Sequence, residues 1–220
     1  MKAWVTFFFV VVLTVGFVNP ETSDNLNTAA NASYLSPLEK DLVYEINLFR
    51  SNPAAYAEKY IKPLTKSFKG KMMYYPNELP LKTEEGVKAV NECVASLKTA
   101  KPVQLVFPSQ GLSKAARDHV KDQSRTGRIG HTGSDNSNFE KRIDRYGTWG
   151  VSIGENIAYG CSSARQVIIY LLIDDGVKDR GHRKNLLKGE FKMIGVASGK
   201  HPEYDYMHVM DFAGAFTDKK

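Results

Sequence analysis

The sequence has very little cysteine. Cys93 and Cys161 are the only two among 220 residues, which excludes a scaffold stapled by many disulfides. Cys93 falls at helical spacing with Val90, Val94 and Leu97, where a thiol behaves as a small hydrophobe and not as an activated nucleophile. Pairing of the two cysteines after export stays open. No H-E-x-x-H helix is present, against an ordinary zincin protease. There is no G-x-S-x-G elbow, against a serine hydrolase of that type, and no glycine-rich phosphate loop, against nucleotide chemistry. Internal repeats are absent, so a solenoid is excluded. Charge of one sign is not concentrated either. Lys and Arg total 30 against 24 Asp and Glu, a formal charge of +6, and the two signs are interleaved, so the chain carries no nucleic-acid footprint.

What is present begins with one apolar run, Trp4 to Val18, preceded by Lys2 and followed by Asn19-Pro20. It is shorter than the roughly 20 residues that span a bilayer, and its position suits a secretory signal over residues 1–19. An uncleaved anchor is the rival reading, since no A-x-A pattern marks a cleavage site. Loss of this leader, which holds Lys2 and no acid, lowers the formal charge from +6 to +5 and leaves no expected membrane span. Residues 20–35, rich in Asn, Ser, Thr and Ala, read as a flexible spacer. Residues 36–217 then form one domain of ordinary size.

Ser36-Pro37-Leu38-Glu39 is a helix start with a capping box, followed by Leu42, Ile46 and Phe49 at helical spacing. Asn52-Pro53 restarts a short helix bearing Tyr56 and Tyr60, and residues 61–81, broken by Pro63, Gly70, Pro76 and Pro80, read as a loop. Further helices are predicted from Thr83, from Gly111 to Thr126 with Gly127 as C-cap, from Phe139 to Tyr146 after Ser137, and after Ser162 or Ser163. The pattern then changes period. Met193 to Ala197 and the alternating run Tyr206 to Ala213 predict two antiparallel strands. Helices first and strands later argue for an α+β domain.

Three short segments carry the chemistry: Gly130-His131, Gly154-Glu155-Asn156 and Gly181-His182-Arg183-Lys184-Asn185. Imidazole and carboxylate are common ligands of divalent metals. Their separations, 24 and 27 residues (131 to 155 and 155 to 182), are too wide for one helix face, so only the tertiary fold can bring them together. His119 sits on the inner face of a helix and reads as a hydrogen-bonded core histidine. His208 alternates with Tyr206 and Met210 in a strand, and His201, beside Pro202, reads as exposed.

Read in order, Ala116-Arg117-Asp118-His119-Val120-Lys121-Asp122, Ile129-Gly130-His131, Gly154-Glu155-Asn156-Ile157-Ala158, Asp179 to Leu187 and Met193-Ile194-Gly195-Val196 resemble the ordered motifs of the CAP superfamily. These are the SCP-like, cysteine-rich secretory, antigen 5 and pathogenesis-related 1 proteins, and the chain is most similar to the short cysteine-poor forms known from bacteria. The resemblance runs from about Leu38 to Phe216. It implies a three-layer α-β-α sandwich with a central antiparallel sheet. It also implies a central cleft in which two histidines and two acidic residues hold a divalent metal such as zinc. His131, Glu155 and His182 match three of those positions. The fourth is usually a Glu three residues after a Trp. Here the stretch is Leu171-Leu172-Ile173-Asp174-Asp175-Gly176, so Asp174 is the candidate and Asp175 the second choice.

The leading functional expectation is a secreted or envelope-exported binding protein whose partner is a lipid, a small apolar molecule or a host or cell-surface component. A metal-dependent hydrolase built on His131, Glu155 and His182 is the alternative. The third reading is a protein-interaction scaffold with a vestigial cleft.

Overall fold

Ser36 opens α1 (Pro37–Ser51) as the sequence predicts. Its Oγ accepts from the Glu39 amide, its own amide donates to Glu39 Oε2 at 2.8 Å, and Pro37 presets the first turn. The structure, a computed structural model, describes residues 25–75 and 79–219, and the apolar run Trp4 to Val18 lies outside them. Asn52 caps α2 (Pro53–Tyr56), which runs on as a π turn (Ala57–Ile61) and a 3-10 turn (Lys62–Lys66). The next stretch, expected as a loop, holds a small antiparallel sheet of β1 (Phe68–Lys69), β2 (Met72–Met73) and β3 (Leu81–Lys82). Pro63 and Pro80 fall outside its paired residues, so neither blocks a ladder bond. α3 (Val87–Lys98) starts later than the expected Thr83, at a Gly86 with φ of 66°.

The central sheet has the order β4-β6-β7-β5, with β4 (Phe107–Pro108), β5 (Gly147–Tyr159), β6 (Met193–His201) and β7 (Asp205–Asp218). β6 and β7 form the expected hairpin, and β5 pairs antiparallel to β7. β4 pairs parallel to β6, so the sheet is mixed and not wholly antiparallel. No hairpin joins β4 to its neighbour, and its direction is therefore not set by a tight turn. β5 is a strand that the residue pattern did not announce.

Helices cover both faces. α4 (Gln110–Thr126), capped by Ser109 and ended by a left-handed Gly127, lies across β6 and β7, with α5 (Phe139–Asp144) beside it. α1, α6 (Ala164–Ile173) and α7 (Gly181–Leu187) occupy the other face, with α3 packed on α6. The alternation along β7 separates the two cores. Met210 and Phe212 join Leu42, Ile46, Ile168 and Leu172, whereas Met207 and Val209 meet Ala116 and Val120 of α4. This is the expected α-β-α sandwich of the α+β class. α4 approaches so closely that a Cβ at Gly195 would lie 2.0 Å from the Leu112 carbonyl carbon.

Two local expectations are corrected. The end of the supposed spacer is packed: Ala29, Ala32 and Leu35 are buried in the core, and Asn47 Nδ2 donates to the Leu26 carbonyl at 3.1 Å. His201 is buried as well, its Nε2 donating to the Arg128 carbonyl and its ring edge-on to Tyr159. No helix of the described residues is long and apolar enough to cross a membrane.

Candidate functional site

Gly130 fixes the loop that carries His131. Its carbonyl accepts from His119 Nε2 at 2.8 Å and from Gln123 Nε2 at 2.6 Å, and its amide donates to the Tyr159 hydroxyl at 2.9 Å. His119 is thus the core histidine expected of it, and burial, helped by the nearby Arg142 charge, lowers its pKa. The loop delivers the His131 ring, half exposed, to the wholly buried side chain of Glu155 on β5, with Nδ1 donating to Oε1 at 2.8 Å. Oε2 of Glu155 accepts from Arg142 Nη2 at 2.7 Å. Burial acts to raise the Glu155 pKa, but the His131 bond and the Arg142 charge outweigh it, and the net direction is down.

The second histidine is built the same way. Asp174 ends α6 in the left-handed conformation (φ 56°), which turns its buried carboxylate onto the start of α7. Oδ2 accepts from the His182 amide at 3.0 Å, and Oδ1 accepts from His182 Nδ1 at 2.7 Å. α7 is pinned to β5 by two amides. Asn156 Nδ2 donates to the His182 carbonyl at 3.1 Å, and Asn185 Nδ2 to Asn156 Oδ1 at 2.8 Å. Arg183 ties the same helix to Glu92 on α3 and to the Leu172 carbonyl. Asn156, Asn185 and Arg183 therefore fix α7 in place against β5 and α3.

His131, Glu155 and His182 line one cleft of about 420 Å³, together with Val177, Asp179, Lys184 and Asn185. Asp174 stands behind His182, and Asp175 turns away to accept from the amides of Glu84 and Glu85. His208 does not enter: it is buried between the Ser198 hydroxyl and the Cys161 carbonyl. In both cleft histidines Nδ1–H is spent on a carboxylate, which directs the lone pair of Nε2 away from its anchor. A carboxylate behind an imidazole in this way fixes the tautomer and the orientation of the ring. A neutral imidazole nitrogen left free in this way is a donor type that divalent metals take. Glu155 and Asp174 are committed to holding the rings, and the described residues contain no group of three or more His, Cys, Asp or Glu arranged for one ion.

Sequence reasoning missed Asp179 and Lys184 on the rim, which lie inside quoted motifs but carry no distinguishing spacing. It also missed Arg142, whose buried guanidinium donates to Glu155 and to the carbonyls of His131 and Ser137.

The model of CAP, the cysteine-rich secretory protein family, matches residues 43–212. The chain belongs to the CAP family. Solved structures similar to this CAP domain include an outer surface protein from Borrelia burgdorferi, at 19% identity over 50% of this chain and 78% of that one, with a TM-score of 0.43. An extracellular SCP-domain protein from Bacillus anthracis str. Ames matches at 22% identity over 58% of this chain and 38% of that one, with a TM-score of 0.41. A cysteine-rich secretory protein from Staphylococcus aureus subsp. aureus Mu50 matches at 16% over 63% and 42%, with a TM-score of 0.37. No curated protein matches the sequence.

Proposed function

We propose that this CAP protein is exported and acts by binding, with the His131–His182 cleft as a divalent-cation site. The observation that carries the reading is the repeated arrangement of an imidazole whose Nδ1 is held by a buried carboxylate, at 2.8 Å in one case and 2.7 Å in the other. His131 and His182 would supply Nε2 to the ion, Glu155 and Asp174 would hold the rings, and zinc or a similar cation would act as a Lewis acid toward a bound ligand. Export is supported by the apolar run Trp4 to Val18.

Binding is favoured over hydrolysis by the same geometry. A carboxylate acting as general base toward a bound water would have to come from the rim, where Asp179 lies, because Glu155 and Asp174 are engaged by the rings. The apolar partner implied by family resemblance has a better place outside this polar cleft. A pocket of about 530 Å³ lies between α1 and α2, lined by Leu26, Leu48, Tyr56, Tyr60 and Leu105 among others.

Elemental analysis of protein purified without chelator or affinity metal, with mass spectrometry of released small molecules, tests the reading. One zinc or similar ion per chain supports the site, and its absence even after dialysis against zinc counts against it. Turnover of ester or peptide substrates that depends on Asp179 would replace binding by hydrolysis.

A further inference from the structure

His131 reaches the cleft through Gly130, a residue with φ of 91° and nothing within 4 Å of where a Cβ would stand. Such a glycine is free to pivot unless its polar groups are held. Here a closed ring of hydrogen bonds holds them. The Gly130 amide donates to the Tyr159 hydroxyl at 2.9 Å, the hydroxyl donates to Gln123 Oε1 at 2.8 Å, and Gln123 Nε2 donates to the Gly130 carbonyl at 2.6 Å. The directions are fixed by chemistry. A hydroxyl that accepts from an amide gives its proton to an acceptor, which places Oε1 of Gln123 there and leaves Nε2 to face the carbonyl. His119, one turn before Gln123 on α4, adds a second donor to that carbonyl.

Strand β5 sets the span of this arrangement. Glu155 holds the His131 ring and Tyr159 holds the backbone just before it. Four residues apart on one regular stretch of strand, the two side chains share a side of the sheet and are separated by about 13 Å of backbone. Tyr159 is itself fixed. Its ring lies edge-on to His201 with centroids 5.3 Å apart and stands 5.4 Å from Tyr204, while Gln123 is wholly buried. Two packed elements, α4 and β5, thus locate the one backbone unit next to the imidazole.

We propose that Gln123 and Tyr159 are positioning residues for His131: through Gly130 they set where the imidazole stands, so that Nδ1 meets Glu155 and Nε2 is left free on the other side. Neither side chain lines the cleft, so both act through His131 and not on a ligand. Their consequence for metal binding rests on the cation site of the His131–His182 cleft, whereas their hold on the ring needs no metal.

Tyr159→Phe removes only the oxygen and keeps the ring that packs on His201 and Tyr204. Gln123→Met removes both amide groups at similar size. Calorimetric zinc titration of the full chain should give binding about tenfold weaker for each variant than for the parent. Because the bonds close one ring, the double variant should lose little more than either single one. Leu64→Ala, a buried change in the 3-10 turn, controls for lost stability alone and should bind zinc as the parent does. Circular dichroism checks folding, and if Gln123→Met does not fold, Tyr159→Phe decides. The metal-free proteins give a second readout. In long-range proton–nitrogen spectra at pH 8 the parent His131 should show the single Nδ1–H tautomer that the Glu155 bond selects, and Tyr159→Phe a mixture of both. Unchanged zinc affinity in the single variants, or the same tautomer pattern in parent and Tyr159→Phe, overturns the positioning role and leaves the cation site standing. If the parent itself binds no zinc, the cation site fails instead, and the spectra alone decide the role of Gln123 and Tyr159.

Discussion

Glu155 and Asp211 stand directly opposite one another on β5 and β7, so two carboxyl groups share one buried face of the sheet. Directly opposed side chains have Cβ atoms about 5 Å apart. On β6 the neighbour of Asp211 is Gly195, which offers no side chain, and α4 covers the face with His119 while α5 contributes Arg142. Arg142 and His131 bind Glu155, and neither oxygen of Asp211 has a hydrogen-bond partner among the described residues. Burial first, and then the charge of Glu155, pushes the Asp211 carboxyl well above the ordinary aspartate value of 3.8. Charge is therefore disfavoured on Asp211 and favoured on Glu155.

This asymmetry gives a pH prediction. Asp211 has a higher pKa folded than unfolded, so the folded state binds more protons, and stability falls as pH rises from about 3.9 toward the folded pKa. Asp211→Asn keeps the shape and cannot ionise. Its stability relative to the parent should grow by up to about 1.4 kcal/mol per pH unit across that window. Thermal denaturation from pH 4 to pH 8 measures it. A constant difference between the two proteins would mean that Asp211 is ionised in the fold.

Arg142 supports Glu155 from the same side. Arg142→Met leaves Oε2 of the buried Glu155 and the His131 carbonyl without a donor, while His131 still holds Oε1 and the Gly133 amide still meets the Ser137 carbonyl, and breaking a buried pair from one side typically costs about 3 to 5 kcal/mol. Urea unfolding should show a loss of that size. Exposed Arg125, which meets Asp122 at 3.6 Å, should lose less than about 1 kcal/mol when replaced by Ala.

The histidine motifs were legible because each is a local device: a loop after a capped helix, or a carboxylate eight residues before the imidazole it holds. The Ser36 capping box was legible for the same reason. β5 was not. Gly147, Gly150 and Gly154 interrupt its alternation, and the register shifts between Gly150 and Ile153, near a Val151 with φ of 71°. Its inward residues also include Glu155, which no apolar pattern detects. Arg142, Asp211 and His201 escaped because their burial comes from partners far away in sequence. Residues 25–35 escaped because small alanines such as Ala29 and Ala32 fill core space without an apolar signature.

The cysteines give a chemical check on the core. Both are buried, and neither is part of a disulfide. Cys93 Sγ donates to the Leu172 carbonyl at 3.2 Å, and burial pushes its thiol up to about 12. The thiolate is the reactive form, so native protein at pH 8 should be nearly silent toward a thiol-exchange reagent. Two thiols per chain should appear once urea unfolds it. Fast labelling of Cys93 in the native state would contradict the packing of α3 against α6.

The decisive experiment on the cleft replaces both histidines. A ligand that binds only the folded state stabilises it by RT ln(1 + [L]/Kd), about 2.7 kcal/mol at a hundredfold excess. If His131 and His182 hold the ion, zinc should raise the melting temperature of the parent, and the variant carrying His131→Ala and His182→Ala should show no such rise. The variant should still fold, because the two rings are half and one-quarter exposed and the apolar layers on either side of the sheet supply most of the burial. The carboxylates behave differently. Without the rings, Glu155 keeps Arg142 and Asp174 keeps the amides at the start of α7, so neither anion is stranded and the metal-free loss should stay near 1 to 3 kcal/mol for each bond removed. If the parent shows no zinc response while the double variant unfolds, the histidines belong to a structural network and the cation site is wrong. Asn185→Ala separates positioning from ligation. It loosens α7 from β5 without touching a nitrogen donor, and should weaken the zinc response without abolishing it.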